Sequence, residues 1–187
     1  HHQKIAQSQN PYKIRDLSYL SNDEAKEYLE DMQIAVKYSQ LNRRIIADEI
    51  LKQMGWKEVS SFESIHNYIS EDGIIRKGAI SAEKDKAIII PLNMRDGAII
   101  AKGKGNDDWN KSAPHGAGRQ FSRAEASELI TLEDYQKDME GIHSSCISTA
   151  TLDEAPQAYK DASEIIKNIN DTADIETIIR PTFNFKD

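Results

Sequence analysis

The chain has 187 residues, of which 39% are hydrophobic and 29% charged, enough apolar material for one buried core and too much for wholesale disorder. A formal net charge of −7 argues against a broad polyanion-binding surface, and the single cysteine excludes an intrachain disulfide. No run of about 20 apolar residues and no charged-then-apolar leader occurs, so neither a membrane span nor a secretion signal is expected, and a cytoplasmic setting follows by default.

In chain order, Ser21-Asn22-Asp23-Glu24 reads as a capping box opening a long helix to about Met54, with Tyr28, Met32, Ala35, Val36, Leu41, Ile45, Ile46 and Met54 as its apolar positions. Arg43 and Arg44 within it read as surface or ion-pair residues. From Trp56 to Ala101 the pattern turns strand-like: short β-branched runs at Ile74-Ile75, Ile88-Ile89-Ile90 and Ile99-Ile100 alternate with Gly and Asp turns, and His66 is expected at the end of one strand. Ser122 to Glu125 forms a second capping box, starting a helix to about Ile130, and Leu132 to Met139 continues helically. Ser145 to Thr151 is expected as a strand, Tyr159 to about Ile178 as helix with breaks, and Arg180 to Phe185 as a last strand carrying Lys186 inward. No repeat, proline-rich linker or low-complexity tract divides the chain, which is expected to form one α+β domain over residues 1–187.

The chemistry concentrates in Ser112-Ala113-Pro114-His115-Gly116-Ala117-Gly118-Arg119. Glycines let backbone N–H groups approach an anion, a guanidinium can grip two phosphate oxygens, and an imidazole that is largely neutral at pH 7 can attack phosphorus without a separate base. Pro91 to Gly97, Gly103-Lys104-Gly105-Asn106 and Ser122-Arg123 surround this run, and Arg76-Lys77-Gly78-Ala79 precedes it. Charge is also unevenly distributed. Acidic residues crowd the segments Asp23 to Asp31, Glu125 to Glu140 and Asp153 to Asp174, whereas Arg76 to Lys111 carries Arg76, Lys77, Lys84, Lys86, Arg95, Lys102, Lys104 and Lys111. A local basic face on an acidic body is therefore expected.

Competing motifs fit less well. His115-Gly116-Ala117-Gly118 resembles an esterase oxyanion loop, but no Gly-x-Ser-x-Gly elbow accompanies it. Gly103-Lys104-Gly105 lacks the spacing and the following Ser or Thr of a P-loop. His143 and Cys146 lack the second pair that a structural zinc site requires. By residue type alone, a histidine-dependent phosphatase remains open.

Taken together, Leu41-Asn42-Arg43, Ile65-His66-Asn67-Tyr68, Ile75 to Ala79, Ser112 to Arg119 with Ser122-Arg123, Glu154 to Asp161 and Lys186 resemble, in order and approximate spacing, the RtcB family of RNA-splicing ligases. The resemblance is expected to be to the C-terminal part of the family chain, which makes these residues a fragment of the mixed α/β family fold, with His1-His2 either family sequence or a tag. It implies a ligase that uses GTP and manganese to join RNA ends bearing a 2′,3′-cyclic phosphate or 3′-phosphate to 5′-hydroxyl ends, with archease as a potential activating partner. His115 then matches the histidine that becomes guanylylated. His66 matches a manganese ligand, and Asn67, Pro91, Leu92, Asn93, Met94, Ala98, Gly116, Ala117, Gly118 and Lys186 fall at the nucleotide. Lys77, Arg119 and Arg123 fall where the family has basic residues for RNA phosphates. The chain departs from the pattern at Leu92-Asn93-Met94-Arg95, where many relatives read Gly-Ser-Met-Gly, and at Ala98, where a serine is usual. Asn93 can still donate and accept hydrogen bonds but Ala98 cannot, so base preference is open. The aspartate, cysteine and remaining histidines of the family's manganese site are expected upstream of this stretch. The alternative to a ligase is a non-catalytic fragment or divergent paralogue that binds nucleotide or RNA ends.

Overall fold

A computed structural model describes residues 1–10 and 18–185. The chain divides into two compact units, His1–Ser61 and Phe62–Asp187, which are described in turn.

The first unit holds α1 (His2–Gln9) and the 33-residue α2 (Asn22–Met54). Asp23 and Glu24 in the first turn of α2 and Lys52 in the last oppose the helix dipole. Gly55, at φ 66°, ends the helix: its N–H bonds the Lys52 carbonyl while the Trp56 N–H bonds that of Leu51, a Schellman arrangement that needs a left-handed residue. The expected capping box is not formed. Ser21 flanks the helix but its side chain caps nothing, and Asn22 at φ 52° gives the entry a left-handed backbone instead. Nor is the apolar stripe a core face: no residue of α2 is buried, and Ile34, Tyr38, Leu41, Ile45, Ile46, Ile50 and Met54 are all exposed. Arg44 pairs with Asp48 at 2.9 Å and Glu58 at 2.8 Å, as expected of an ion-pair residue.

The second unit is α+β. In one antiparallel sheet β2 (Ile75–Ser81) lies between β1 (His66–Ile69) and β5 (Ser112–Pro114). In the other, β4 (Ala98–Gly103) lies between β3 (Ala87–Pro91) and β7 (Ala173–Ile179). Alternation along β3 and β4 turns Ile88, Ile90, Ile99 and Ala101 inward, where they join Ile80, Leu92, Ala113, Ala117 and Ile169 in one core. A second core gathers Ala126, Ile130, Tyr135, Met139, Leu152, Ala155 and Ala158. Its helices are α3 (Arg123–Leu129), which has the expected reciprocal Ser122–Glu125 capping box, and α4 (Leu132–Asp138). No helix among the described residues is long and apolar enough to cross a membrane.

Three expected elements differ. Residues 145–151 form no strand: the pairing there is limited to β6 (His143–Ser144), and a 3₁₀ turn runs Thr149–Glu154, with the Thr151 hydroxyl bonded to the Cys146 carbonyl. The expected long helix after Tyr159 is confined to α5 (Ala162–Asn168) and a 3₁₀ turn. From Ala173 the β-branched residues Ile175, Thr177, Ile178 and Ile179 join the β4 ladder, which satisfies their backbone groups through a distant partner. The last strand shrinks to β8 (Phe183–Asn184), parallel to β6.

Candidate active site

Two pieces of backbone bring the site together. Strand β5 pairs with β2 in the register Ser112–Ser81, Ala113–Ile80, Pro114–Ala79, so the next residue, His115, arrives beside Gly78, whose carbonyl lies 3.4 Å from the His115 N–H it accepts. On the other side of β2 the register with β1 slips between His66 and Tyr68: His66 pairs with Ile80 and Tyr68 with Arg76, so Lys77, Gly78 and Ala79 bulge opposite the single residue Asn67, which is at φ 57°. Such bulges re-aim side chains. Here the Asn67 Oδ1 accepts the Gly78 N–H at 3.1 Å, and the His66 ring stacks on that of His115 with centroids 5.3 Å apart and planes 17° from parallel. Gly78 is at φ +72°, and a Cβ there would stand 3.6 Å from the His115 ring. A larger residue would push into the imidazole.

The loop after His115 is anchored to the end of β3. The Ala117 N–H bonds the Pro91 carbonyl at 3.1 Å, and a Cβ on Gly116 would lie 3.1 Å from that same oxygen. Gly118, at φ +75°, accepts the Lys160 N–H through its carbonyl. The expected site residues His66, Asn67, His115, Gly116, Ala117 and the Pro91 backbone therefore meet. Others are engaged elsewhere. Leu92 is buried in the sheet core, and the Met94 sulfur accepts the Tyr135 hydroxyl at 3.1 Å in the second core. Asn93 closes its own turn, its Oδ1 accepting the N–H groups of Arg95 and Asp96 and its amide donating to Asp96. Ala98 pairs with Pro91 and Ile179 in the sheet. Lys186 lies outside the described residues.

The basic residues divide. Lys77 is exposed on β2 next to Gly78. Arg119, expected to offer its fork to phosphate, instead donates to the carbonyls of Phe121 and Asp153 and to the Tyr159 hydroxyl at 3.3 Å, and lies over the Tyr159 ring at 5.0 Å. Arg123 binds Glu154 at 2.8 Å and Asp153, which raise its pKa. The Tyr159 hydroxyl donates to Glu154 at 2.6 Å, and burial, with that carboxylate, pushes its pKa up to about 12. The loop that begins at His115 runs through residues 116–121 to the Ser122 N-cap of α3. Sequence reading did not assign roles to Gly78, Glu154 or Tyr159. Gly78 was visible in the Arg76-Lys77-Gly78-Ala79 segment, and Glu154 and Tyr159 in the segment Glu154 to Asp161.

A divalent cation such as manganese needs several oxygen, nitrogen or sulfur ligands. Among the described residues no group of three or more His, Cys, Asp or Glu side chains is placed to hold one. The stacked imidazoles of His66 and His115 are thus an incomplete donor set, and the described residues by themselves do not fit a metal centre.

A family profile described as "tRNA-splicing ligase RtcB" matches residues 1–187. The chain is 31% identical to the RNA-splicing ligase RtcB of Escherichia coli K12, over 89% of this chain and 45% of that protein. It is 28% identical to the tRNA-splicing ligase RtcB of Nanoarchaeum equitans, over 82% of this chain and 40% of the relative. It is also 28% identical to that of Methanopyrus kandleri, over 86% and 21%. The chain thus spans less than half the length of these relatives, and the matches do not support the C-terminal placement expected from the sequence.

Proposed function

The chain belongs to the tRNA-splicing ligase RtcB family, and from that premise we propose that it is part of an RNA ligase domain in which His115 is the nucleophile. The observation that carries the reading is the meeting of His115 with His66, Asn67 and the Gly78 turn, on a loop tied down at Pro91. An imidazole nitrogen of His115 attacks the α-phosphorus of GTP; the P–N bond forms as the bond to pyrophosphate breaks. The GMP then passes to an RNA 3′-phosphate, and a 5′-hydroxyl displaces it to close the phosphodiester. Gly116 and Ala117 line the path of the GMP, Lys186 contacts the guanine, and Lys77 meets RNA phosphate. His66 is this chain's contribution to a manganese site, whose charge would stabilise the developing negative charge on the phosphate oxygens when bound. The other ligands belong to family sequence outside these residues.

A second reading has its own support. With less than half of the relatives' length and no set of three metal ligands among the described residues, these residues alone bind nucleotide or RNA ends without joining them. RNA bearing a 2′,3′-cyclic phosphate and a 5′-hydroxyl, mixed with GTP, manganese and either this chain or a full-length family chain carrying it, separates the two. Joined RNA that disappears with His115→Ala supports the ligase reading. RNA binding by both chains with joining by neither favours the second.

A further inference from the structure

Arg76 begins the basic segment of β2, yet it is 3% exposed. A buried guanidinium must satisfy its donors or incur a large desolvation cost. Its Nε donates to the Ser112 hydroxyl at 3.0 Å, one terminal nitrogen to the Tyr68 hydroxyl at 3.4 Å, and the other to the carbonyls of Asn110 and Lys111 at 3.3 and 3.5 Å. The guanidinium also lies 5.7 Å from the Tyr68 ring centroid. These partners are informative because Asn110 and Lys111 are consecutive non-glycine residues in the left-handed region, at φ 49° and 47°. Such conformations are costly and persist where surrounding contacts over-determine them. Here the Ser112 hydroxyl closes on the Asn110 carbonyl at 2.8 Å, the Ala82 N–H on the Lys111 carbonyl at 2.7 Å, and the Arg76 fork on both carbonyls at once.

The strained turn feeds directly into β5. Three residues later the strand ends and His115 emerges beside Gly78. Because side chains alternate along a strand, a one-residue slip at Ser112 would carry every following side chain to the other face. Arg76 sits on β2 and holds the first residue of β5, so it fixes where that strand starts. We infer that Arg76 is a positioning residue for His115: its buried fork pins the Asn110–Lys111 turn and thereby sets the register in which the imidazole stacks on His66. The role in turnover rests on His115 being the nucleophile; the role in placement does not.

The test reads placement and chemistry separately. With ¹³C-labelled histidine in this chain, the nuclear Overhauser contact between the His66 and His115 rings reports the stack. In a full-length family chain carrying these residues, GMP capture from GTP gives kcat and KM. Lysine keeps the charge but cannot reproduce the planar fork. For Arg76→Lys and Arg76→Met the ring contact is expected to vanish while signals from the second core around Tyr135 stay in place. Capture at saturating GTP is expected to fall about 10- to 100-fold, as displacements of about 1 Å commonly produce, with KM within about threefold. A folded Arg76→Met that keeps the ring contact and the wild-type kcat overturns the inference. Should that variant not fold, Arg76→Lys and Ser112→Ala decide by the same two readings. If the unmutated protein captures no GMP, the nucleophile reading fails, and the ring contact alone still judges Arg76.

Discussion

The two halves of the site expected from sequence are built in opposite ways. Around His115 the protein presents groups: the imidazole is stacked rather than enclosed, Asn67 secures a turn beside it, and Lys77 and Gly78 stay exposed. Around Arg119 and Arg123 the protein satisfies groups: both guanidiniums end on Asp153, Glu154, Tyr159 or backbone carbonyls. A cation already held by its own chain has little left to offer a phosphate, because exchanging a fixed partner for a ligand gains only the difference between the two. Arginine in a glycine-rich loop is thus not evidence of an anion site until its partners are known.

Substitutions can break this contrast. The largest effect is expected from His115→Ala, which abolishes covalent GMP capture in a full-length family chain while leaving the thermal midpoint close to wild type, as scanning calorimetry can check. Next comes Gly78→Val. It combines a φ of +72° with bulk starting 3.6 Å from the imidazole, and should slow capture by about 10- to 100-fold as read by stopped-time mass spectra. Capture at the wild-type rate would show that the ring tolerates displacement.

On the arginine side the expected effect is on stability. Tyr159→Phe removes a hydroxyl that joins Glu154 to Arg119 and should cost about 1–2 kcal/mol in urea unfolding, with little change in GMP capture. The sign of its pH dependence follows from the raised pKa of about 12. Below the ordinary tyrosine value near 10 the phenol is protonated in both states, and its contribution is complete. Between there and about 12 the unfolded chain has lost the proton while the folded chain keeps it, so this stability is lost as pH rises. Tyr159→Phe should flatten that loss. The smallest effect is expected from Arg123→Ala on RNA joining, below that of Lys77→Ala, because Arg123 is already bound by two carboxylates. The reverse order would overturn the contrast.

How much of this was legible in the sequence depended on where each partner lies. The end of α2 was readable because Gly55 acts locally, and the Ser122–Glu125 box because its members are three residues apart. The Ser21 box failed for an equally local reason, the left-handed Asn22. Residues 173–178 read as the end of a helix but lie in strand β7 because the deciding contact is the β4 ladder, some 75 residues away by the Ala98–Ile179 to Gly103–Ala173 register. His66 and His115 could be named from their segments, but their stacking depends on a bulge in β2 opposite Asn67 that no pattern announced. Apart from the Phe121 carbonyl, the partners of Arg119 and Arg123 lie 30 to 40 residues away in sequence, so their satisfied state was invisible.

The most direct measurement of the central claim is the mass of a full-length family chain carrying these residues after incubation with GTP and manganese, followed by mapping of the modified peptide. The account predicts one added GMP, lost in acid as expected of a phosphorus–nitrogen bond, on the peptide containing His115. GMP found on another residue, or retained by His115→Ala, would contradict it.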